Sequence, residues 1–200
     1  MVFCAGGPGA AERFITLKIG PAWPKELQWS GKPTAWDGSA ITGIVFDGKI
    51  ALGGGLDFLW NVNKKSTRIH DNTYRLDQVE KTFMFPVSGY FAFTPIPQFR
   101  FHPCVSTQIG LNTMYYSYDS TATALDGSDT RPYDENGFYM GFYWKIAADV
   151  LFNIGESSSL FAGVDFQRTK PEKLNKKHGD VFTVRDMNGV GLRMGVRLLY

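Results

Sequence analysis

Residues 138–152 read FYMGFYWKIAADVLF. Every second position is apolar: Phe138, Met140, Phe142, Trp144, Ile146, Ala148, Val150 and Phe152. The positions between them, Tyr139, Gly141, Tyr143, Lys145, Ala147 and Asp149, mix small, phenolic and charged side chains. A period of two marks a strand whose faces meet different surroundings, whereas a helix repeats every ~3.6 residues.

The same alternation recurs along the chain. Val190, Leu192, Met194, Val196, Leu198 and Tyr200 alternate with Gly189, Gly191, Arg193, Gly195 and Arg197. Phe99 to Asn112, Ile15 to Trp23, Ile50 to Trp60, Thr82 to Phe93 and Leu160 to Gln167 behave alike, and a shorter strand falls near Ala40 to Phe46. That predicts eight strands. Asp47-Gly48 is a tight hairpin signal, and residues 94–97 and 153–159 are further short turns. Between these lie long polar stretches at 24–39, 62–78, 117–137 and 169–186. Short turns alternating with long loops are the asymmetry of a barrel threaded through a membrane. The expectation is therefore an all-β, eight-stranded antiparallel up-and-down transmembrane barrel over residues 12–200. Residues 1–11 are set aside as a tail that resembles the end of a secretory signal.

Which face looks outward decides the class. A soluble ligand-binding barrel turns its apolar face inward, and a membrane barrel inverts this. Three features favour inversion. The polar faces carry few water-type charges. Glycines (Gly53, Gly55, Gly141, Gly163, Gly189, Gly191, Gly195) crowd those faces, where a narrow eight-stranded interior has little room. Aromatics mark the strand ends, with Trp23, Trp60, Tyr115 and Phe138 on the loop side and Phe93, Phe99, Phe101 and Phe152 on the turn side, as rings do at bilayer interfaces. Lys18, Arg100, Lys145, Arg193 and Arg197 are then expected to meet Asp57, Glu80, Asp149 and Asp165 inside, because an isolated buried charge is costly.

The chain holds 200 residues with a net charge of +2, which gives no ground for nucleic-acid binding. Cys4 and Cys104 make no metal spacing, and neither a metal nor a cofactor is expected. His70 and His178 fall in loops. His102 shares a face with Cys104 and Ser106, a pairing that a lipid hydrolase would use but that also arises by chance on a polar strand face. Gly53-Gly54-Gly55 lies within a strand, not before a helix, so it is no phosphate loop. Arg168, Lys170, Lys173, Lys176 and Lys177 make the last loop basic, suited to lipid phosphates or an anionic partner. Trp29 and Trp36 in the first long loop suggest an adhesive patch, a plug over the mouth or ordinary loop packing.

With these residues on the page, the sequence resembles the small outer-membrane barrels, the OmpA transmembrane domain and OmpX among them. The terminal strand GVGLRMGVRLLY carries the likeness most sharply. The resemblance implies a bacterial outer-membrane location in contact with lipopolysaccharide. It also implies that the barrel-assembly machinery reads Val190, Leu192, Met194, Val196, Leu198 and Tyr200, although phenylalanine is the commoner last residue. Pro86 and Pro103 depart from the pattern, since proline cannot donate to a strand ladder. The expected role is that of a non-enzymatic structural or interaction protein displaying its loops. The alternatives are a narrow pore or hydrophobic-molecule transporter, and the soluble barrel.

Overall fold

The computed structural model describes residues 11–25, 35–69, 73–176 and 180–200. Among these there is no α-helix. The strands are β1 (Ala11–Pro24), β2 (Ala35–Phe46), β3 (Ile50–Ile69), β4 (Tyr74–Phe93), β5 (Phe101–Ala124), β6 (Thr130–Asn153), β7 (Ser158–Thr169), β8 (Glu172–Lys173) and β9 (Gly189–Leu199). Each long strand pairs antiparallel with its sequence neighbour, and β9 closes the ring by pairing with both β7 and β1. Eight strands thus form a closed barrel. Closure matters because no water is present in a bilayer core to satisfy an open sheet edge.

The faces are inverted relative to a soluble barrel. Phe142 is 62% exposed and Met194 64%, while Lys145 is 2% and Arg193 6% exposed. Leu17, Leu52, Val87, Ile109, Val164 and Leu192 all point outward as well. A continuous apolar wall of this kind is stable in lipid, where a charge at mid-depth costs about 2–4 kcal/mol. The soluble, lipocalin-like alternative is overturned by this facing. The outward row Trp36, Trp60, Phe83, Tyr115 and Phe138 is joined by direct register pairs. Trp36 stacks on Trp60 at 6.4 Å, and Tyr115 meets Phe138 at 5.2 Å. Trp36 is therefore part of the aromatic girdle and not of a loop patch. Trp29 lies outside the described residues.

Two of the four expected long loops are strands instead. The described residues of 62–78 extend β3 and β4 as far as the pair Ile69↔Tyr74, and 117–137 continue β5 into β6 with a turn only at the tip. β5 and β6 reach 24 residues each, against 12 for β2 and β7. Alternation vanishes there for a physical reason: above the membrane both faces meet water, so pairing persists without a hydrophobic signature.

The strand prolines interrupt pairing without shifting it. The β3–β4 ladder lapses between Leu56↔Val87 and Leu59↔Met84, at Pro86, then resumes in the same register. The β1–β9 ladder lapses likewise beside Pro21. Pro171 separates β7 from β8, which continue a single register along β6. Pro103 lies below the last β4–β5 pair, Phe93↔Val105, and has a ladder partner only on β6.

Candidate functional site

The lumen is filled by alternating apolar and charged layers. At the turn end, Phe14, Ile41, Tyr90, Leu151 and Phe161 form one apolar cluster, joined by Cys104. At the loop end, Leu59, Met84, Met114, Tyr116, Tyr139 and Met187 form another. Between them four cations, Lys18, Lys145, Arg193 and Arg197, share the buried interior with four carboxylates, Asp37, Asp57, Asp149 and Asp165.

These groups cross-link the wall. Lys145 Nζ on β6 donates to Asp37 on β2 at 2.6 Å and to Asp57 on β3 at 3.4 Å. β2 and β6 stand on opposite sides of the ring, so this bridge spans a diameter. Asp57 also accepts from Gln108 at 2.6 Å and from the Tyr143 hydroxyl at 3.2 Å. One layer nearer the turns, Arg193 grips Asp149 with two bonds of 2.9 and 2.8 Å and lies 3.7 Å from Asp165. Bidentate geometry of this kind fixes orientation as well as charge. Glycine makes room for it: a Cβ on Gly163 would sit 2.2 Å from an Asp149 oxygen. Arg197 donates to Thr16 at 3.2 Å and, across the ring, to the Tyr90 hydroxyl at 3.1 Å. The Lys18 ammonium is buried without a hydrogen-bond partner among the described residues and lies over the Tyr90 and Phe161 rings at 5.5 and 5.4 Å.

The described residues of 170–188 fold over the mouth. Met187 is fully buried there. Arg185 pairs with Glu80 at 2.7 Å and lies over the Tyr116 ring at 3.9 Å. Lys173 meets Glu135 at 3.1 Å and Asp180 at 3.0 Å. Glu135 lies above the girdle residue Phe138. Burial opposes its charge, but bonds from Tyr133, Lys173 and the amides of Val181 and Phe182 outweigh that and hold its carboxyl below the usual 4.5. Burial likewise works against the Lys173 charge and is outweighed by Asp180 and Glu135, so its ammonium titrates above the ordinary range.

Several expected site residues sit elsewhere. Arg100 is not interior: β5 starts one residue later, and Arg100 lies exposed in the turn with its guanidinium 4.7 Å from the Phe152 ring centre. Glu80 serves the mouth and not the central network. Lys173 is buried in ion pairs and is no part of an exposed basic loop. Arg168 is exposed on the outer wall, Lys170 lies 3.8 Å from Asp186, and Lys176 pairs with Glu172 at 3.2 Å. Cys4, His70, Lys177 and His178 lie outside the described residues. Val190, Leu192, Met194 and Leu198 face outward, and Tyr200 pairs its backbone with Arg13. His102 and Ser106 are engaged separately. His102 Nδ1 bonds the Phe99 carbonyl at 3.0 Å, and Ser106 receives an Arg193 bond at 3.4 Å. Asp37, Gln108, Tyr143, Glu135 and Arg185 were not anticipated. The alternation around Trp36, continued one step, is the signal that points Asp37 inward.

This combination defines a membrane-spanning eight-stranded β-barrel with a filled lumen, and the fold is that of the small outer-membrane barrels. The chain is similar to neisserial surface protein A, with a TM-score of 0.52 at 14% identity, over 96% of this chain and 99% of that one. It is also similar to the outer-membrane protein OprG of Pseudomonas aeruginosa, with a TM-score of 0.50 at 12% identity, over 97% and 98% of the two chains. No protein-family model matches the chain, and no curated protein matches it.

Proposed function

We propose that the chain is a non-conducting barrel of the bacterial outer membrane, with a structural and interaction role carried by its external end. The carrying observation is the Lys145–Asp37 bridge across a full diameter, stacked between Arg193–Asp149 and the two apolar clusters. The pairing and packing of these layers support a closed lumen. In this reading the terminal strand, Val190 to Tyr200, serves as the assembly signal, and Arg168 and Lys170 are offered to lipopolysaccharide phosphates. The test is planar-bilayer recording of the purified chain. The expected result is no steady current, and a stable wild-type conductance rejects the reading.

One observation favours a second reading, a lateral path for small hydrophobic molecules. The outer wall bears a groove of about 500 Å³ lined by Trp23, Ile146, Val164, Phe166, Val190 and Leu192, with Asp165 and Gly191 at its floor. Liposome uptake of an apolar dye separates the two: uptake that stops on Ala148→Phe supports the path, and none supports the closed barrel.

A further inference from the structure

The outward face of the extended β3–β4 hairpin carries a charge arrangement that the closed barrel does not require. Leaving the apolar wall along β3, the outward residues are Trp60, Val62, Lys64, Ser66 and Arg68; along β4 they are Phe83, Lys81, Val79, Asp77 and Arg75. Register places Lys64 and Lys81 on diagonal positions, since Val62 faces Lys81 and Lys64 faces Val79. Arg68 stands directly opposite Arg75. Like charges opposed across strands destabilise a sheet. Asp77 offsets only Arg75, at 2.9 Å, which leaves Lys64, Lys81 and Arg68 exposed with no ion pair to a described residue. The neighbouring hairpin has the opposite sign: the first outward charges above Tyr115 and Phe138 are Asp119 and Asp134. Of these two hairpins, the β3–β4 one therefore carries the positive charge.

Height identifies what neutralises it. Lys64 comes two positions after Val62, which is 52% exposed and apolar, so its side chain starts just beyond the apolar wall, within reach of the headgroups. Long cationic side chains reach back to that level readily. We propose that Lys64, Lys81 and Arg68, above Trp60, form a docking surface for the phosphates of an outer-leaflet glycolipid of the lipid A class. The surface is separate from Arg168 and Lys170, and it rests on the membrane orientation given above but not on whether the lumen conducts.

The test is native mass spectrometry of the full chain released from micelles doped with diphosphoryl lipid A, together with a binding titration in the same micelles. Each basic side chain at a charged membrane surface contributes enough that Lys64→Gln with Lys81→Gln weakens binding on the order of 20-fold. The Lys64→Arg, Lys81→Arg pair keeps the charge and retains binding, and Asp119→Asn with Asp134→Asn does not weaken it. Heat-modifiable migration on gels confirms that each variant is folded. Wild-type affinity in the folded glutamine pair, or equal binding of dephosphorylated lipid A, overturns the proposal. Loss of binding that the arginine pair restores supports it.

Discussion

Replacing Lys145 by methionine tests whether the interior is held by charge. The ammonium is 2% exposed and lies 2.6 Å from Asp37 and 3.4 Å from Asp57. At an effective dielectric near ~20, Coulomb attraction amounts to about 6 and about 5 kcal/mol for these contacts. Desolvation of three ions, several kcal/mol each, cancels much of that in the wild type. In the variant the cancellation fails, because two carboxylates remain buried with their main counter-charge gone, and the expected loss is about 3–5 kcal/mol. Asp57 keeps its bonds from Gln108 and Tyr143, so Asp37 carries most of the penalty. Lys145→Met combined with Asp37→Asn should then recover about half of the loss, a coupling that only contacting residues show. The assay is urea unfolding in liposomes, followed by tryptophan fluorescence and gel migration. A loss under about 1 kcal/mol for the single variant, or additivity in the double, refutes the argument.

The other predictions concern the seam, the mouth and acid. Gly195→Val places a Cβ 1.9 Å from the Leu17 carbonyl oxygen and 2.6 Å from the Phe161 ring; the β1–β9 seam should fail to close, read as loss of the heat-modifiable band. Arg185→Gln leaves Glu80 without its 2.7 Å partner, and limited proteolysis within 174–186 should speed up several-fold while the barrel stays folded. Glu135 has a folded-state pKa below 4.5 because its hydrogen bonds outweigh burial, so its contribution is present above that ordinary value and disappears as pH falls through the lowered one. The Val181 and Phe182 amide resonances should shift together below pH 4.5, and Glu135→Gln should abolish that titration.

The membrane-embedded strands were legible because lipid imposes a rule on every outward side chain. Phe142, Leu192 and Met194 obey it, and Lys145 and Arg193 follow by parity. Where lipid ends, the rule ends, so 62–78 and 117–137 read as loops although their described residues pair strand by strand outside the tips. Arg100 failed for a related reason: parity holds only inside a strand, and the chain turns just before Phe101. Asp37 is hidden from a reading that starts this strand near Ala40, and once β2 begins at Ala35 its inward position follows. Nothing local marks Lys173 and Arg185 as buried. Their partners Glu135 and Glu80 lie far away in sequence, and a segment rich in lysine reads as solvated until the fold closes over it.

The two ends of the barrel differ in kind from its middle. In the middle, the charges face one another across the lumen and the outer wall is lined mainly by apolar side chains, so this part acts as a core turned inside out and holds a shape. At the turn end, β2 and β3 are joined through Asp47, Gly48 and Lys49 alone. The loop end has two strand pairs extended well above the girdle, opposite in charge on their outward faces, beside a strap pinned by buried ion pairs. Strand extensions keep their side chains in register, as free loops do not, so Lys64 and Lys81 hold fixed spacing relative to the membrane surface. The proposed docking of lipid A phosphates needs that fixed spacing, and a barrel serving only as a membrane staple does not.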